Sequence, residues 1–246
     1  MRLFNGSMIF AAVCFVALIF GCSMQGKNVC SDQILFEDDF CGLENWHFEG
    51  LTEGVTNPKP GIMRLDCNGS KQGGAGCMSF CKLNFPDNIS IEYDLFVEEK
   101  NGLLITFVAL EGLDGQDGIT GVPPRTGVFG DYVGKDASTR SYHVSISRYD
   151  DNAEHTGVSN WRRNPGLNLM GQGKDPCEEI HKWYHVKIIK KGPYCGLYVD
   201  GKLASEFDDP QTLEGAVPTS GKVGFRAIGA RAVAEISNFK VSKLDE

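Results

Sequence analysis

Short runs in which apolar and polar residues alternate recur along the chain, separated by Gly, Asn and Asp. That alternation, with a period of two, is the signature of strands buried on one face. It predicts strands over residues 34–36, 62–65, 89–97, 103–110, 141–147, 183–189, 196–199, 202–207, 222–226 and 232–237. Asp200-Gly201 between two of these runs is a strong two-residue hairpin signal. No long pattern with apolar residues at i, i+3 and i+4 is present, and no strand–helix–strand unit of ~30 residues. A dinucleotide-binding or α/β-barrel enzyme is thereby excluded, and an all-β antiparallel sandwich is expected.

Two stretches break the rhythm. Residues 111–140, with seven Gly and the pair Pro123-Pro124, and residues 150–180, rich in Gly and Asn, read as long loops, which are usually functional. Aromatic and basic side chains punctuate them at Arg125, Phe129, Tyr132, Trp161, Arg162 and Arg163, as expected of ordered loops that build a site. At the N-terminus Arg2 precedes an apolar run over residues 8–20. The run is too short to span ~30 Å of hydrocarbon but suits a secretory leader. Ile19-Phe20-Gly21-Cys22 resembles the bacterial lipobox, in which the Cys becomes the acylated first residue. Residues 1–21 are thus expected to be a signal peptide, 22–33 a polar tether and 34–246 the sandwich. The expected location is the periplasm or outer membrane of a bacterium, with the membrane reached through a lipid on Cys22.

The 246 residues include nine Cys. With Cys14 lost in the leader and Cys22 acylated, Cys30, Cys41, Cys67, Cys77, Cys81, Cys177 and Cys195 remain, an odd number, so at least one thiol is unpaired. Structural disulfides and buried thiols are both open readings. Cys77-x-x-x-Cys81 lacks the second Cys/His pair that a zinc site needs. The net charge of −8 argues against a nucleic-acid surface. The charge is unevenly spread. Residues 85–118 carry eight acids and one Lys, whereas 125–174 carry seven Lys/Arg against five Asp/Glu. A local cationic region on an acidic protein suits an anionic sugar, because Arg grips a carboxylate or sulfate through two parallel hydrogen bonds.

Several positions carry a resemblance. Phe36-Glu-Asp-Asp-Phe40 with Trp46, the run from Trp183 to Lys202, and Gly221-Lys-Val-Gly-Phe-Arg226 resemble concanavalin A-like lectin/glucanase domains. Arg125-Thr-Gly, Asp131-Tyr132, His143-x-Ser145-x-x-Arg148, Asn160-x-Arg162 and Asp175-Pro176 are similar to a bacterial family found with rhamnogalacturonan- and ulvan-degradation systems. The resemblance implies a jelly roll that holds a carbohydrate, alongside other polysaccharide-degrading enzymes. It also implies elimination of water from uronic-acid-ended oligosaccharides. No cofactor is expected. The superfamily often binds a structural Ca²⁺, for which Asp38, Asp39 and Asn238 are speculative ligands.

β-Elimination beside a uronate needs a cation on the carboxylate, a base for H5 and an acid for the departing oxygen. His143 and Tyr132 fit the base and acid. Arg148, Arg162 and Asn160 fit the neutralising group, with Arg125 and Ser145 as further sugar contacts. In residues 142–147 the alternation sends Tyr142, Val144 and Ile146 to one face and His143 and Ser145 to the other. Arg148 has the apolar parity, so a bulge must turn it if it is to join His143. A retaining glycosidase is less well served. It needs two carboxyls ~5–5.5 Å apart, whereas Glu92 and Glu98 would lie ~20 Å apart along a strand. Asp94 is instead read as part of an acidic, sugar-bonding face. A non-catalytic carbohydrate-binding lipoprotein is the alternative from a different class.

The lipid is directly testable. Detergent phase partitioning should send the wild type to the detergent phase and Cys22→Ala to the aqueous phase; two aqueous proteins would contradict acylation.

Overall fold

The alternating runs pair into two antiparallel sheets packed face to face, in a computed structural model that describes residues 33–67, 74–229 and 231–245. The leader, Cys22 and Cys30 lie outside the described residues. The eight-stranded sheet contains β1 (Gln33–Asp38), β3 (Val55–Thr56), β4 (Met63–Asp66), β6 (Ile89–Val97), β11 (Trp183–Lys191), β12 (Tyr194–Val199), β13 (Lys202–Asp208) and β15 (Val233–Lys243). Its order is β13-β12-β11-β6-β15-β4-β3, with β1 paired on β15. The seven-stranded sheet contains β2 (Trp46–Gly50), β5 (Cys77–Cys81), β7 (Gly102–Gly112), β8 (Thr139–Tyr149), β9 (Val158–Asn164), β10 (Asn168–Lys174) and β14 (Lys222–Ile228). Its order is β10-β9-β8-β7-β14-β5-β2. The α-helical content among the described residues is one turn, α1 (Gly130–Val133).

The core follows from the alternation. Ile89, Ile91, Tyr93, Leu95 and Val97 of β6 are buried between the sheets, while Glu92 and Asp94 point away. Tyr142, Val144 and Ile146 of β8 face them from the other side. Trp46 of β2 links the two layers, its ring 5.7 Å from Phe225 of β14 and 5.1 Å from Phe239 of β15. Its indole N–H donates to buried Asp38 at 2.9 Å, so the polar end of the side chain is satisfied. Asp200 and Gly201 both have positive φ, 49° and 74°, as the tight hairpin between β12 and β13 requires.

Part of the expectation is corrected. Residues 150–180 are not one long loop: they hold the β9–β10 hairpin at the sheet edge. Those strands escape the alternation rule because they are polar. Ser159 and Arg163 take inward positions, with Arg163 held by Asp209. Glycine is needed on β10 for close approach. A Cβ at Gly173 would sit 2.2 Å from the Ala204 carbonyl of β13 in the opposite sheet. No disulfide joins the six described cysteines in this structure, and five of them are buried.

Candidate functional site

Cross-strand register collects one set of outward side chains on the seven-stranded sheet. His143 is opposite Phe107 of β7 and Arg162 of β9, and Ser145 is opposite Ile105 and Asn160. Further across, Arg226 of β14 pairs with Met78 of β5, which pairs with Glu49 of β2. This face is half apolar and half polar. The segment 113–138, which we call the strap, lies on the apolar half. Tyr132 and Val133 of α1 pack there with Met78, Phe80, Ile105, Phe107 and Leu110.

A buried ionic network pins the strap. Arg125 donates Nε and Nη2 to the two oxygens of Glu49 at 2.9 and 2.7 Å, and the Tyr132 hydroxyl donates to the same carboxylate. Arg226 is fully buried, and among the described residues no carboxylate pairs with its guanidinium. Its Nη1 donates to the Gly127 carbonyl at 2.9 Å, and its cation lies over Phe129 at 5.0 Å and Tyr132 at 5.7 Å. Burial holds the Arg226 pKa down at about 10. Burial and the Glu49 carboxylate push the Tyr132 phenol well above its ordinary range. Two expectations change here. Arg125 is a buried ion-pair partner, its side chain only 3% exposed, rather than a sugar contact. The Tyr132 hydroxyl already donates a hydrogen bond to Glu49, and the side chain acts as a strut.

The polar half is built at the end of β8. Ser147 has a φ of 50°, and the pairing with β7 shifts register between Gly102 and Leu104. This bulge turns Arg148 toward β9, where its Nη1 donates to the Val158 carbonyl at 3.0 Å. The Asn160 amide, with its oxygen toward Arg148, accepts from the same Nη1 at 2.9 Å. The Asn160 nitrogen then faces the Gln172 side-chain amide of β10 at 2.8 Å. Arg162 donates Nη1 to the Leu167 carbonyl at 2.8 Å. Neither Arg148 nor Arg162 forms an ion pair among the described residues. Burial lowers the Arg148 pKa; Asp175 opposes this, and the Arg162 charge adds to it. Buried Asp175 seats the strand end, accepting from the Arg148 amide at 2.9 Å and facing His155 Nε2 at 3.0 Å.

His143 lies between the two halves, 2% exposed. Its Nδ1 meets Asn164 Nδ2 at 2.9 Å, and its ring is 5.3 Å from Phe107 and 6.2 Å from Phe129. The outward face expected for His143 exists, but the strap covers it. Burial first, then the charges of Arg162 and Arg226, lower its pKa to about 3, so the ring is neutral at pH 7.

Other expected residues lie elsewhere. Asp94 is on the outer face of the eight-stranded sheet, bonded to His185 Nδ1 at 2.8 Å and Asn238 Nδ2 at 2.6 Å. It is therefore not part of the His143 face. Glu92 there pairs with Lys187 at 3.3 Å, and Glu98 pairs with Arg64. Asp38 accepts from Trp46, Asn45 and the Phe40 amide, and Asp39 from the Cys41 amide. Among the described residues no three His, Cys, Asp or Glu side chains are grouped to hold a metal. Glu49, Asn164, Gln172 and His155 escape the sequence reading, and Arg226 enters it only as part of a strand and of the concanavalin A-like run. A lone Arg inside the apolar strand Lys222–Ile228 was the one usable signal.

The chain belongs to the family described as Domain of unknown function (DUF1961), which matches residues 34–241. The protein YesU of Bacillus subtilis (strain 168) is 30% identical over 152 residues, 60% of this chain and 68% of YesU. A crystal structure from Bacillus subtilis, of a protein of unknown function with a galectin-like fold, superposes with a TM-score of 0.76 at 24% identity. That match covers 87% of this chain and 97% of the other. The potassium-bound carbohydrate recognition domain of Emp46p gives 0.58 at 13% identity, covering 88% and 96%. A putative glycosyl hydrolase from Parabacteroides distasonis gives 0.53 at 14%, covering 87% and 100%. These likenesses establish the lectin-like sandwich.

The buried imidazole makes a pH prediction. An unfolded His takes up its proton near 6.5, the folded one only at about 3. Between those values the unfolded state binds more protons, so stability is lost as pH falls, by up to ~1.4 kcal/mol per unit. Above that window His143 adds no pH dependence. His143→Gln should therefore flatten the acid limb of the unfolding free energy measured in urea. Equal slopes in both proteins would show that the ring is not held neutral.

Proposed function

We propose that this member of the DUF1961 family binds uronic-acid-ended oligosaccharides of the ulvan or rhamnogalacturonan type on the outer face of the seven-stranded sheet. It eliminates water there from the terminal uronate, as a carbon–oxygen lyase. The observation that carries the reading is the pair Arg148 and Arg162. These cations repel one another and lack ion-pair partners among the described residues, and Arg162 stands opposite a neutral imidazole. A carboxylate between them relieves that repulsion and accepts charge-assisted hydrogen bonds. The carbohydrate recognition domain and the putative glycosyl hydrolase among the fold relatives give the sugar class its context.

In this mechanism Arg148 and Arg162 neutralise the carboxylate, which makes H5 acidic. His143 takes H5, the C4–O bond breaks as the C4=C5 bond forms, and the departing hydroxyl leaves with that proton as water. Substrate approaches from the Arg162 side, because Phe129 of the strap lies against the ring. The bound anion offsets the Arg162 charge that depresses His143, so the base strengthens when substrate arrives. Tyr132 is assigned to support instead of acid catalysis. The mature protein works at the membrane through acylated Cys22, in the periplasm or outer membrane, beside other polysaccharide-degrading enzymes.

One observation favours a second reading, a binding lipoprotein without catalysis: the imidazole is almost wholly covered. Mass spectrometry of uronate-ended oligosaccharides after incubation separates the two. Loss of one water, with ultraviolet absorbance from the conjugated double bond, is the expected outcome. His143→Gln should reduce turnover by ~10²–10⁴-fold. Arg162→Ala should weaken uronate binding by about 10–100-fold and leave a neutral sugar unaffected. Tight uronate binding by the wild type with no water lost would establish the second reading. Equal weakening of both ligands by Arg162→Ala would contradict the carboxylate site.

A further inference from the structure

Two buried thiols lie against each other beneath the strap. β4 ends at Asp66 in the eight-stranded sheet, and β5 begins at Cys77 in the seven-stranded one. Cys67 and Cys77 are both fully buried. The Cys77 amide donates to Cys67 Sγ at 2.8 Å, and a hydrogen bond to the Cys67 thiol is the first cause that pushes the Cys77 thiol far up. The remaining contacts are backbone carbonyls: Ala227 at 2.7 Å from Cys67 Sγ and Asp66 at 3.1 Å from Cys77 Sγ. No other two cysteines share a hydrogen bond among the described residues.

We propose that Cys67 and Cys77 form a disulfide in the mature protein, joining the two sheets under the strap. Each thiol gives up one proton and one electron, and the S–S bond forms by exchange with a disulfide oxidant, itself reduced to two thiols. Thiolate is the attacking species. In the closed fold the Cys77 thiol stays protonated and both sulfurs are sealed from solvent. The bond is therefore made while the chain is still folding, and the finished protein resists later exchange. An oxidising compartment is where such a bond forms and persists, as the leader segment leads one to expect.

The segment between the two cysteines makes hydrogen bonds to the strap and to the residues that support it. The Gly74 carbonyl accepts from Arg226 Nη2 at 3.3 Å, and the Gly76 amide donates to the Gly127 carbonyl at 3.0 Å. The Gly76 carbonyl accepts from the Leu51 amide at 3.1 Å. Closing a short ring around this segment removes freedom from the unfolded chain and fixes the seat of the strap. The inference stands on these contacts and does not depend on the sugar proposed above.

The test is to refold the full chain, reduced and denatured, in a glutathione redox buffer. Free thiols are then blocked with iodoacetamide and the peptides mapped by mass. A Cys67–Cys77 linked peptide is expected in most molecules, with the other cysteines alkylated. Dithiothreitol added before refolding should lower Tm by on the order of 5–10 °C. A Cys67→Ser/Cys77→Ser variant should melt with the reduced protein and ignore the reductant. Alkylation of both cysteines in the refolded wild type, or linkage of either to another cysteine, would overturn the proposal. So would a reductant effect that persists in the double variant. Mapping the protein taken directly from an exporting bacterial host gives the same decision if the chain does not refold.

Discussion

The carboxylate of Glu49 is withdrawn from water at the end of the sandwich, and much of the face around His143 depends on what surrounds it. Removing a carboxylate and a guanidinium from water costs several kcal/mol per ion unless geometry and hydrogen bonding compensate. Here compensation is complete on the carboxylate side, while Arg125 Nη1 is buried without a hydrogen-bond partner among the described residues. Two guanidinium nitrogens and one phenol converge on the two oxygens, with His47 at 3.3 Å. Arg125 and Tyr132 belong to the strap and Glu49 to the sheet, so the ion pair converts a Gly- and Pro-rich segment into an ordered cover. Arg226 reinforces it from below through Gly127 and the rings of Phe129 and Tyr132.

The strap then determines what stays open. It takes the apolar half of the face and shields one side of His143, while Arg148 and Arg162 stand beyond it. The two sheets also divide the charge. The acidic run of β6 faces away on the eight-stranded sheet, where Lys187, Lys240 and Arg64 partly balance it. The unpaired arginines sit on the opposite sheet. A protein of net charge −8 can thus present a cationic patch to an anionic sugar.

What could be read from the sequence was whatever period-two alternation or turn chemistry encodes locally. β6 matches the predicted residues 89–97, and Asp200-Gly201 turns as expected, because both signals lie within a few residues. The parity that separates His143 from Tyr142 was legible too, as was the need for a bulge before Arg148. The identities of partners were not. Arg125 and Tyr132, in a loop full of Gly and Pro, read as a sugar contact and a catalytic acid because their acceptor, Glu49, lies 76 and 83 residues upstream. β9 and β10 were missed because polar Ser159 and Arg163 take inward positions, which removes the alternation there. Asp94 was assigned to the sugar because alternation gives a face and not the sheet's partner.

The most direct measurement is a double-mutant cycle on Glu49 and Arg125, read by urea unfolding and by amide hydrogen exchange over residues 124–134. Glu49→Gln and Arg125→Met should each cost ~3–5 kcal/mol, since each leaves a buried partner uncompensated. The double variant should lose less than the sum by ~2 kcal/mol or more, and each variant should speed exchange in the strap well before global unfolding. Additive losses within ~0.5 kcal/mol, with strap exchange unchanged, would show that the ion pair does not hold the cover in place.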